Sequence, residues 1–511
     1  MAPFILAIDQ STSATKAILF DGKGHLLHRA SRPHKQFYPN PGWVEQDPVE
    51  IWQNTLAAIE AVCQEAGLAA EEMQKQICVL AITNQRETVM IWDRLNGKPI
   101  YPAITWQCNR ASSICQDIEK RGFAPEVKAR SGLVLSPYFS AAKASWMLQN
   151  VPDARRLADE GRLLLGTMDS WLIWNLTGGA VHATDYSNAS RTQLFNIFEQ
   201  RWDEKLLDIF GIPAALLPEV CFSDMIYGHV TAGSEPMTKT LEGLPIGGVM
   251  GDSHAALFGQ NCFRQGMTKA TYGTGSSMMM NIGSEARQSE HGLVTSIAWG
   301  LKGKIDYVFE GNINCSGDTI QWLVDELKIL NEPQEAKDFA LMLPDNGGVY
   351  LVPAFVGLGA PYWDSEARAS ITGLSRGTGK AHVIRAAEES MAYQIKDIAD
   401  LMLSESGLDI PELRVDGGPT RDTFLMQFQA DILDRPVVCA RIAELSALGA
   451  CLMGGLAVGL FKDLDEISAL REPGQSYRPS MGFEERRRLY DGWKRAVRRT
   501  LSWYPESDKE V

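Results

Sequence analysis

The chain has 511 residues, more than a single hydrophobic core organises, and its 45% hydrophobic and 22% charged content is that of a globular protein rather than a disordered or fibrous one. A formal net charge of −14 repels a phosphate backbone, which argues against nucleic acid as a partner and leaves any anionic ligand to a local site of backbone N–H groups and a few cations. The apolar opening run, Phe4 to Ile8, is broken by Asp9 too soon for a signal peptide or membrane span, and nine cysteines without a C-x-x-C pair read as free thiols, so a cytoplasmic protein is expected.

In chain order, Phe4 to Ile8 reads as a buried strand, followed by the polar turn Asp9 to Lys16 and a second strand from Ala17 to Phe20. A third short strand at Leu26-Leu27 continues the meander after the turn Asp21 to Gly24. The same order returns further on, where Met267 to Tyr272 leads into Gly273-Thr274-Gly275-Ser276-Ser277 and out through Met278 to Asn281. This repetition predicts a duplicated fold with a boundary near residues 250 to 265, residues 1–255 forming one domain and 256–511 the other. Each half would offer a Gly/Ser/Thr turn to a cleft between them. Past residue 380, a helical pattern from Ile384 to Met402 precedes a strand-like Leu413 to Asp416 and the glycines Gly417 and Gly418.

Five segments carry chemistry. In Asp9 to Lys16 a strand-end carboxylate can bind Mg²⁺, Thr12 and Ser13 can donate to phosphate oxygens, and Lys16 adds a cation, although a plain polar hairpin turn reads the same way. The Gly273 to Ser276 turn lets backbone approach phosphates, with Thr274 donating. At Asp416-Gly417-Gly418 an adenine could lie against exposed backbone, or the segment is a plain strand-to-helix turn. Asp252, in Gly251-Asp252-Ser253-His254, is the candidate general base, with His254 its rival. Asn84 to Thr88 is a dense polar cluster suited to several hydroxyls at once, Arg86 donating and Glu87 accepting, with Trp106 as an apolar wall for a carbon chain. Together these parts fit phosphoryl transfer, which asks for a metal–phosphate clamp, a positioned hydroxyl and a group to take its proton.

The chain resembles the glycerol kinases of the FGGY carbohydrate-kinase family from end to end. The matching segments include Pro41 to Glu45, Ile82 to Glu87, Gly97 to Tyr101, Thr105 to Cys108, Ala183 to Arg191, Pro353 to Trp363 and Val415 to Gly418. The resemblance implies an α/β fold of two actin/hexokinase-like (ribonuclease-H-like) domains closing over ATP and Mg²⁺. It further implies polyol contacts from Arg86, Glu87, Trp106, Tyr138 and Asp252, with Asp252 as base. Nucleotide contacts would come from Thr12, Ser13, Lys16, Thr274, Gly317, Gln321 and Gly418, with Asp9 near the metal and a dimer or tetramer as the usual assembly.

Departures from the family pattern gather at the substrate end of the site, with others in the first phosphate loop and beyond the Gly417-Gly418 turn. Ser253 stands where Gln is usual and Ser277 where Phe is usual, and both make room; a four- or five-carbon polyol or ketose would fit, as would glycerol with water in the added space. Ser11 replaces a usual Gly, Lys16 a usual Arg, and Asp422 a usual Asn, which places backbone freedom at Ser11 and the charge of Asp422 beside the nucleotide in question. A non-catalytic sugar sensor would be expected to lose the base or a phosphate turn, and an ATPase of the actin or chaperone kind has no use for Asn84 to Glu87; both residue sets are present here.

Overall fold

The computed structural model describes residues 3–472 and 474–502. Strands β1 (Phe4–Gln10), β2 (Ala14–Phe20) and β3 (Leu26–Pro33) form the antiparallel meander expected at the start of the chain, with β3 much longer than Leu26-Leu27. Two apolar strands, β4 (Ile77–Asn84) and β6 (Pro245–Gly251), add parallel to β1, and β5 (Ile226–His229) closes the edge, giving the order β5-β6-β4-β1-β2-β3. The central strands are buried on both faces, so they read as continuous apolar runs instead of alternating ones. One covering element is helix α1 (Pro48–Glu65), started by the Asp47 side chain accepting from the Val49 N–H and by Pro48 in the first turn. Its Ile51, Leu56, Ile59 and Val62 face inward at helical spacing.

A second sheet repeats the plan. Strands β7 (Thr268–Tyr272), β8 (Ser276–Gly283), β9 (Val294–Leu301), β10 (Lys304–Ile313), β11 (Leu413–Gly417), β12 (Val437–Cys439) and β13 (Ser476–Tyr477) stand in the order β9-β10-β8-β7-β11-β12-β13. As in the first sheet, an antiparallel hairpin is followed by strands that join its first member in parallel, and an antiparallel strand closes the edge. The helical pattern from Ile384 to Met402 extends to Lys380–Ser406. A small antiparallel sheet of Glu45–Gln46, Ala103–Ile104, Val89–Asp93 and Leu163–Thr167 sits apart with its own apolar core, and it carries Glu87 and Trp106 at its strand ends.

Helices α2 (Asp252–Gly259) and α6 (Leu445–Ala457) cross in an apolar layer that has Ile5, Ala7 and Phe20 of the first sheet on one side and Met279, Trp299 and Val308 of the second on the other. Between them in sequence come α3 (Gly317–Asp325), α4 (Lys380–Ser406) and α5 (Thr423–Leu433). The crossing is backbone on backbone: a Cβ on Gly449 would stand 1.8 Å from the Ala255 carbonyl oxygen. Gly449→Ala must therefore push the two helices apart, and a loss of about 1–3 kcal/mol of unfolding free energy is expected. Urea denaturation beside Gly482→Ala, where a Cβ meets nothing within 4 Å, checks this.

The C-terminal helix α7 (Phe483–Thr500) is pinned to α4 by the buried Asp397, which accepts from Tyr490 Oη at 2.6 Å, Trp493 Nε1 at 2.8 Å and Tyr362 Oη at 2.9 Å. Burial pushes the Asp397 carboxyl up to about 6. Among the described residues, no helix is long and apolar enough to cross a membrane.

Candidate active site

Register places the first half of the site. Asp9 pairs across β1–β4 with Thr83, Gln10 with Asn84, and Asn84 across β4–β6 with Gly251, so the segments carrying Asp9, Arg86 and Asp252 leave the carboxyl ends of three adjacent parallel strands. Side chains next to one another on such an edge converge, the usual location of ligand sites in open α/β sheets. Asp252 opens α2 and is part-exposed; its Oδ1 accepts from the Ser253 N–H at 2.6 Å and meets Arg86 Nε at 3.3 Å. The Ser187 hydroxyl supports it from behind, accepting from the Gly251 N–H at 2.9 Å.

Far from a solvated loop, Asn84 to Thr88 is buried throughout, and Glu87 is held at a φ of +60°. Asn84 and Asn188 exchange side-chain hydrogen bonds at 3.0 Å, which ties the loop to the Ala183 to Arg191 segment. Arg86 turns its fork onto Glu310 of β10, with Nη1 at 3.0 Å and Nη2 at 2.8 Å, and Arg191 Nη1 lies 2.7 Å from the same carboxylate. Arg191 Nε also donates to Glu87 at 2.6 Å. Burial alone would raise the Glu310 carboxyl; Arg191 and Arg86 outweigh it and hold the group well below the usual carboxylate range. Ser277 donates to Glu310 at 3.3 Å, so the hydroxyl that stands at the enlarged position is engaged by this cluster.

Trp106 and Tyr138 meet edge to face at 5.6 Å, and Trp106 Nε1 donates to Thr12 Oγ1 at 2.9 Å, joining this aromatic pair to the Asp9 to Lys16 turn. Burial pushes the Tyr138 phenol up. The buried Lys143 ammonium donates to the Tyr138 carbonyl at 2.5 Å, and burial drives its pKa down to about 7. Ser140 Oγ donates to the Glu87 carbonyl at 3.0 Å, so one helix start positions Tyr138 and Glu87 together.

Asp9 and Lys16 are cross-strand partners in the β1–β2 hairpin. Lys16 Nζ lies 3.4 Å from Asp9 and 2.6 Å from Glu444, the residue before α6, and Arg29 also donates to Glu444, at 2.8 Å. Burial raises the Asp9 carboxyl to about 6, with Glu444 and Asp252 adding to it against the pull of Lys16. Ser13 is exposed and Thr12 half-buried. Ser11 closes an ordinary turn, its N–H and Oγ both meeting the Ala14 carbonyl, so this position asks for no glycine.

In the second half the Gly273 to Ser276 turn abuts α3: the Gly317 N–H donates to the Gly273 carbonyl at 2.9 Å and the Ser316 N–H to that of Thr274 at 2.9 Å. Thr274 itself is exposed. Beside the turn, Gly417 takes φ +101°, where a Cβ would meet the Tyr272 carbonyl oxygen at 1.8 Å, so only glycine permits this bend. A cavity of about 300 Å³ opens here, lined among others by Gly317, Gly418, Ile320, Met391, Leu425 and Asp422. Asp422 caps α5, accepting from the Leu425 N–H at 2.9 Å, which accounts for its charge at a helix start. Lys269 is a buried cation near this junction; its ammonium donates to Thr271 Oγ1 at 2.9 Å, and that hydroxyl donates to Asp416 at 2.7 Å.

Gln321, one turn after Gly317 on α3, is exposed and donates to Asp325 at 2.9 Å. One expectation is corrected. His254 is fully buried with Nε2 3.1 Å from Ser296 Oγ, and burial together with Arg86 pushes its pKa well down, so it is a neutral core residue and not a rival base. Glu310, Glu444 and Lys269 escaped sequence reading because each is a lone charge in an unremarkable strand or loop. Arg191 stood inside the Ala183 to Arg191 segment, the one available signal.

Residues 4–259 match the N-terminal domain, and residues 268–458 the C-terminal domain, of the FGGY family of carbohydrate kinases. The chain belongs to that family. As an FGGY carbohydrate kinase it is 52% identical over 499 residues to glycerol kinase 1 of Thermotoga maritima, covering 98% of this chain and 100% of the relative, and 48% identical to the glycerol kinase of Bacillus velezensis, covering 98% and 100%. A Plasmodium falciparum glycerol kinase solved with ADP superposes on this FGGY kinase with a TM-score of 0.93 at 35% identity, covering 98% of each chain. A xylulose kinase from Lactobacillus acidophilus, at 22% identity and a TM-score of 0.85 over 98% and 100% of the two chains, shares the fold.

Proposed function

We propose that this kinase transfers the terminal phosphoryl group of ATP to a terminal hydroxyl of glycerol, with Asp252 as general base. The observation that carries the reading is Asp252: a part-exposed carboxylate on the strand edge beside the Arg86–Glu87 loop, steadied by Arg86 Nε at 3.3 Å. A hydroxyl held against it loses its proton to the carboxylate as the phosphoryl bond forms. Glu87 and Tyr138 are placed to pair with the remaining hydroxyls, and Trp106 to cover the carbon chain. Arg86 orients Asp252 while Glu310 holds its fork. Thr12, Ser13 and Lys16 on one side and Thr274, Gly317 and Gly418 on the other face the phosphates. We take 1–255 and 256–511 as the two domains, closing about the α2–α6 crossing to exclude water.

Mg²⁺ fits this donor set. Asp9 is a buried carboxylate whose ionised form is disfavoured by burial and by the charges of Glu444 and Asp252, so a divalent cation would stabilise it, and Mg²⁺ is commonly held by one or two carboxylates with phosphate oxygens completing its shell. Bound with ATP, it would neutralise charge developing on the transferred group. The free cysteines, all but Cys78 buried, support a reducing compartment such as the cytoplasm.

Glycerol is favoured over a longer polyol or ketose because the full-length relatives near 50% identity are glycerol kinases, while the xylulose kinases share only the fold. In an ADP-release assay with Mg·ATP across glycerol, erythritol, xylitol, ribitol, dihydroxyacetone, erythrulose and xylulose, glycerol is expected to lead in kcat/KM by about tenfold, or 1.4 kcal/mol. A longer acceptor in first place would overturn the assignment and make Ser253 and Ser277 the specificity change.

A further inference from the structure

Behind the polyol loop lies a carboxylate that the chemistry described so far does not use. Asp185 is 0% exposed and accepts five hydrogen bonds, each 2.9 Å long. Oδ1 takes the Ser187 hydroxyl together with the backbone and side-chain N–H groups of Asn188, and Oδ2 takes the Ser187 N–H and the Ser223 hydroxyl. Burial raises the carboxyl, and these donors pull it back toward ionisation, since a proton on either oxygen would face another donor. Two of the donors pass the arrangement on. Ser187 Oγ, its hydrogen turned to Asp185, accepts from the N–H of Gly251, the residue before Asp252, at 2.9 Å. Asn188 gives one amide hydrogen to Asp185 and the other to Asn84 Oδ1, and accepts from Asn84 Nδ2 in return, two residues before Arg86. Asn84 and Gly251 are register partners across β4–β6, and a Cβ on Gly251 would stand 2.7 Å from Arg86 Cγ. The two arms of Asp185 therefore grip both sides of the one strand pair that delivers Asp252 and Arg86.

We propose that Asp185 is a positioning residue for phosphoryl transfer, aiming Asp252 through Ser187 and the Arg86–Glu87 loop through Asn188. The proposal rests on the reading of Asp252 as general base. An ionised carboxylate only accepts, so it dictates which way its neighbours point. Ser187 must turn its hydrogen toward Asp185 and leave a lone pair for the Gly251 N–H. Asn188 must turn its NH2 toward Asp185 and so offers its oxygen to Asn84 Nδ2. Removing the charge removes that instruction from both arms at once, and a reacting group tolerates a displacement of only about 0.5 Å.

The test is steady-state kinetics of the full chain with glycerol at saturating Mg·ATP, read beside ADP titration and Tm, for Ser187→Ala, Asn188→Ala and Asp185→Asn. Ser187→Ala is expected to lower kcat about tenfold with the glycerol KM within about threefold, because it loosens the base and leaves the Arg86–Glu87 loop tied. Asn188→Ala is expected to raise the glycerol KM about tenfold, because it frees that loop. The ADP Kd should stay within about twofold in both, since neither arm reaches the second phosphate turn. Asp185→Asn, whose NH2 is set against a donor, should show both changes, and Ser187→Ala added to it should lower kcat by less than about threefold more, the arm being already loose. Wild-type kinetics in both alanine variants overturn the positioning role, as does a fall in glycerol and ADP binding together with Tm, or a full Ser187→Ala effect in the Asp185→Asn background. The two alanine variants decide the matter even if Asp185→Asn does not fold. A wild-type kcat for Asp252→Asn overturns the base itself, a separate failure.

Discussion

Asp252→Asn is expected to lower kcat by about 10²–10⁴, the span that a positioned general base contributes, while ADP affinity stays within a factor of about two to three. The amide keeps the shape of the carboxylate and can still meet the Ser253 N–H, so the start of α2 should hold. What it loses is the capacity to take a proton at the edge where Arg86 and the Asp9 turn converge. Nucleotide binding is spared because the cavity at Gly317 and Gly418 is built on the other sheet. Steady-state turnover with saturating glycerol, read beside ADP titration, separates the two effects. A kcat within about fivefold of wild type would remove Asp252 from the chemistry.

Glu310→Ala is expected to cost about 3–5 kcal/mol of unfolding free energy, because it leaves Arg86 and Arg191 as buried cations without their shared counter-ion. Its carboxylate is 0% exposed, accepts from the Arg86 fork and lies 2.7 Å from Arg191 Nη1, whereas an exposed pair such as Arg156–Glu160 contributes about 0–1 kcal/mol. The loss should appear as a lower urea midpoint. Activity should fall as well: an Arg86 released from Glu310 is free to close fully onto Asp252 and draw its carboxylate away from a substrate hydroxyl. Glu310→Gln keeps one acceptor oxygen but sets an NH2 donor against an arginine and removes the charge, so it should lie between wild type and alanine. Equal stability of Glu310→Ala and wild type would mean that water solvates the cluster and that it does not hold the two sheets together.

The local patterns that sequence carries well are those set by neighbours in the chain. The two hairpins and the glycine turns were legible because apolar runs, Gly/Ser/Thr turns and their repetition are short-range signals, and the duplicated sheets follow them. Lengths were less so: Leu26-Leu27 extends to Pro33 because pairing with β2 continues past the apolar residues. Asp9, Arg86, Glu87 and Asp252 were nameable as polar groups at strand ends, and parallel register then set them side by side. His254 could not be told from a base by its position next to Asp252. Only its burial against Ser296 decided it, since two steps along a helix turn a side chain by about 200°, away from Asp252.

By itself, the sequence determined the class of protein, the duplicated sheets and the segments from which a phosphate clamp and a carboxylate base could come, because these depend on composition and on residues adjacent in the chain. Tertiary structure alone decided that Glu310 lies between Arg86 and Arg191, that Glu444 reaches Lys16, that Trp106 bonds Thr12 and that Glu388 lines the cavity with Gly418. Those pairs are separated by tens to hundreds of residues, and a single charge in a strand carries no mark of the partner that the fold will bring to it.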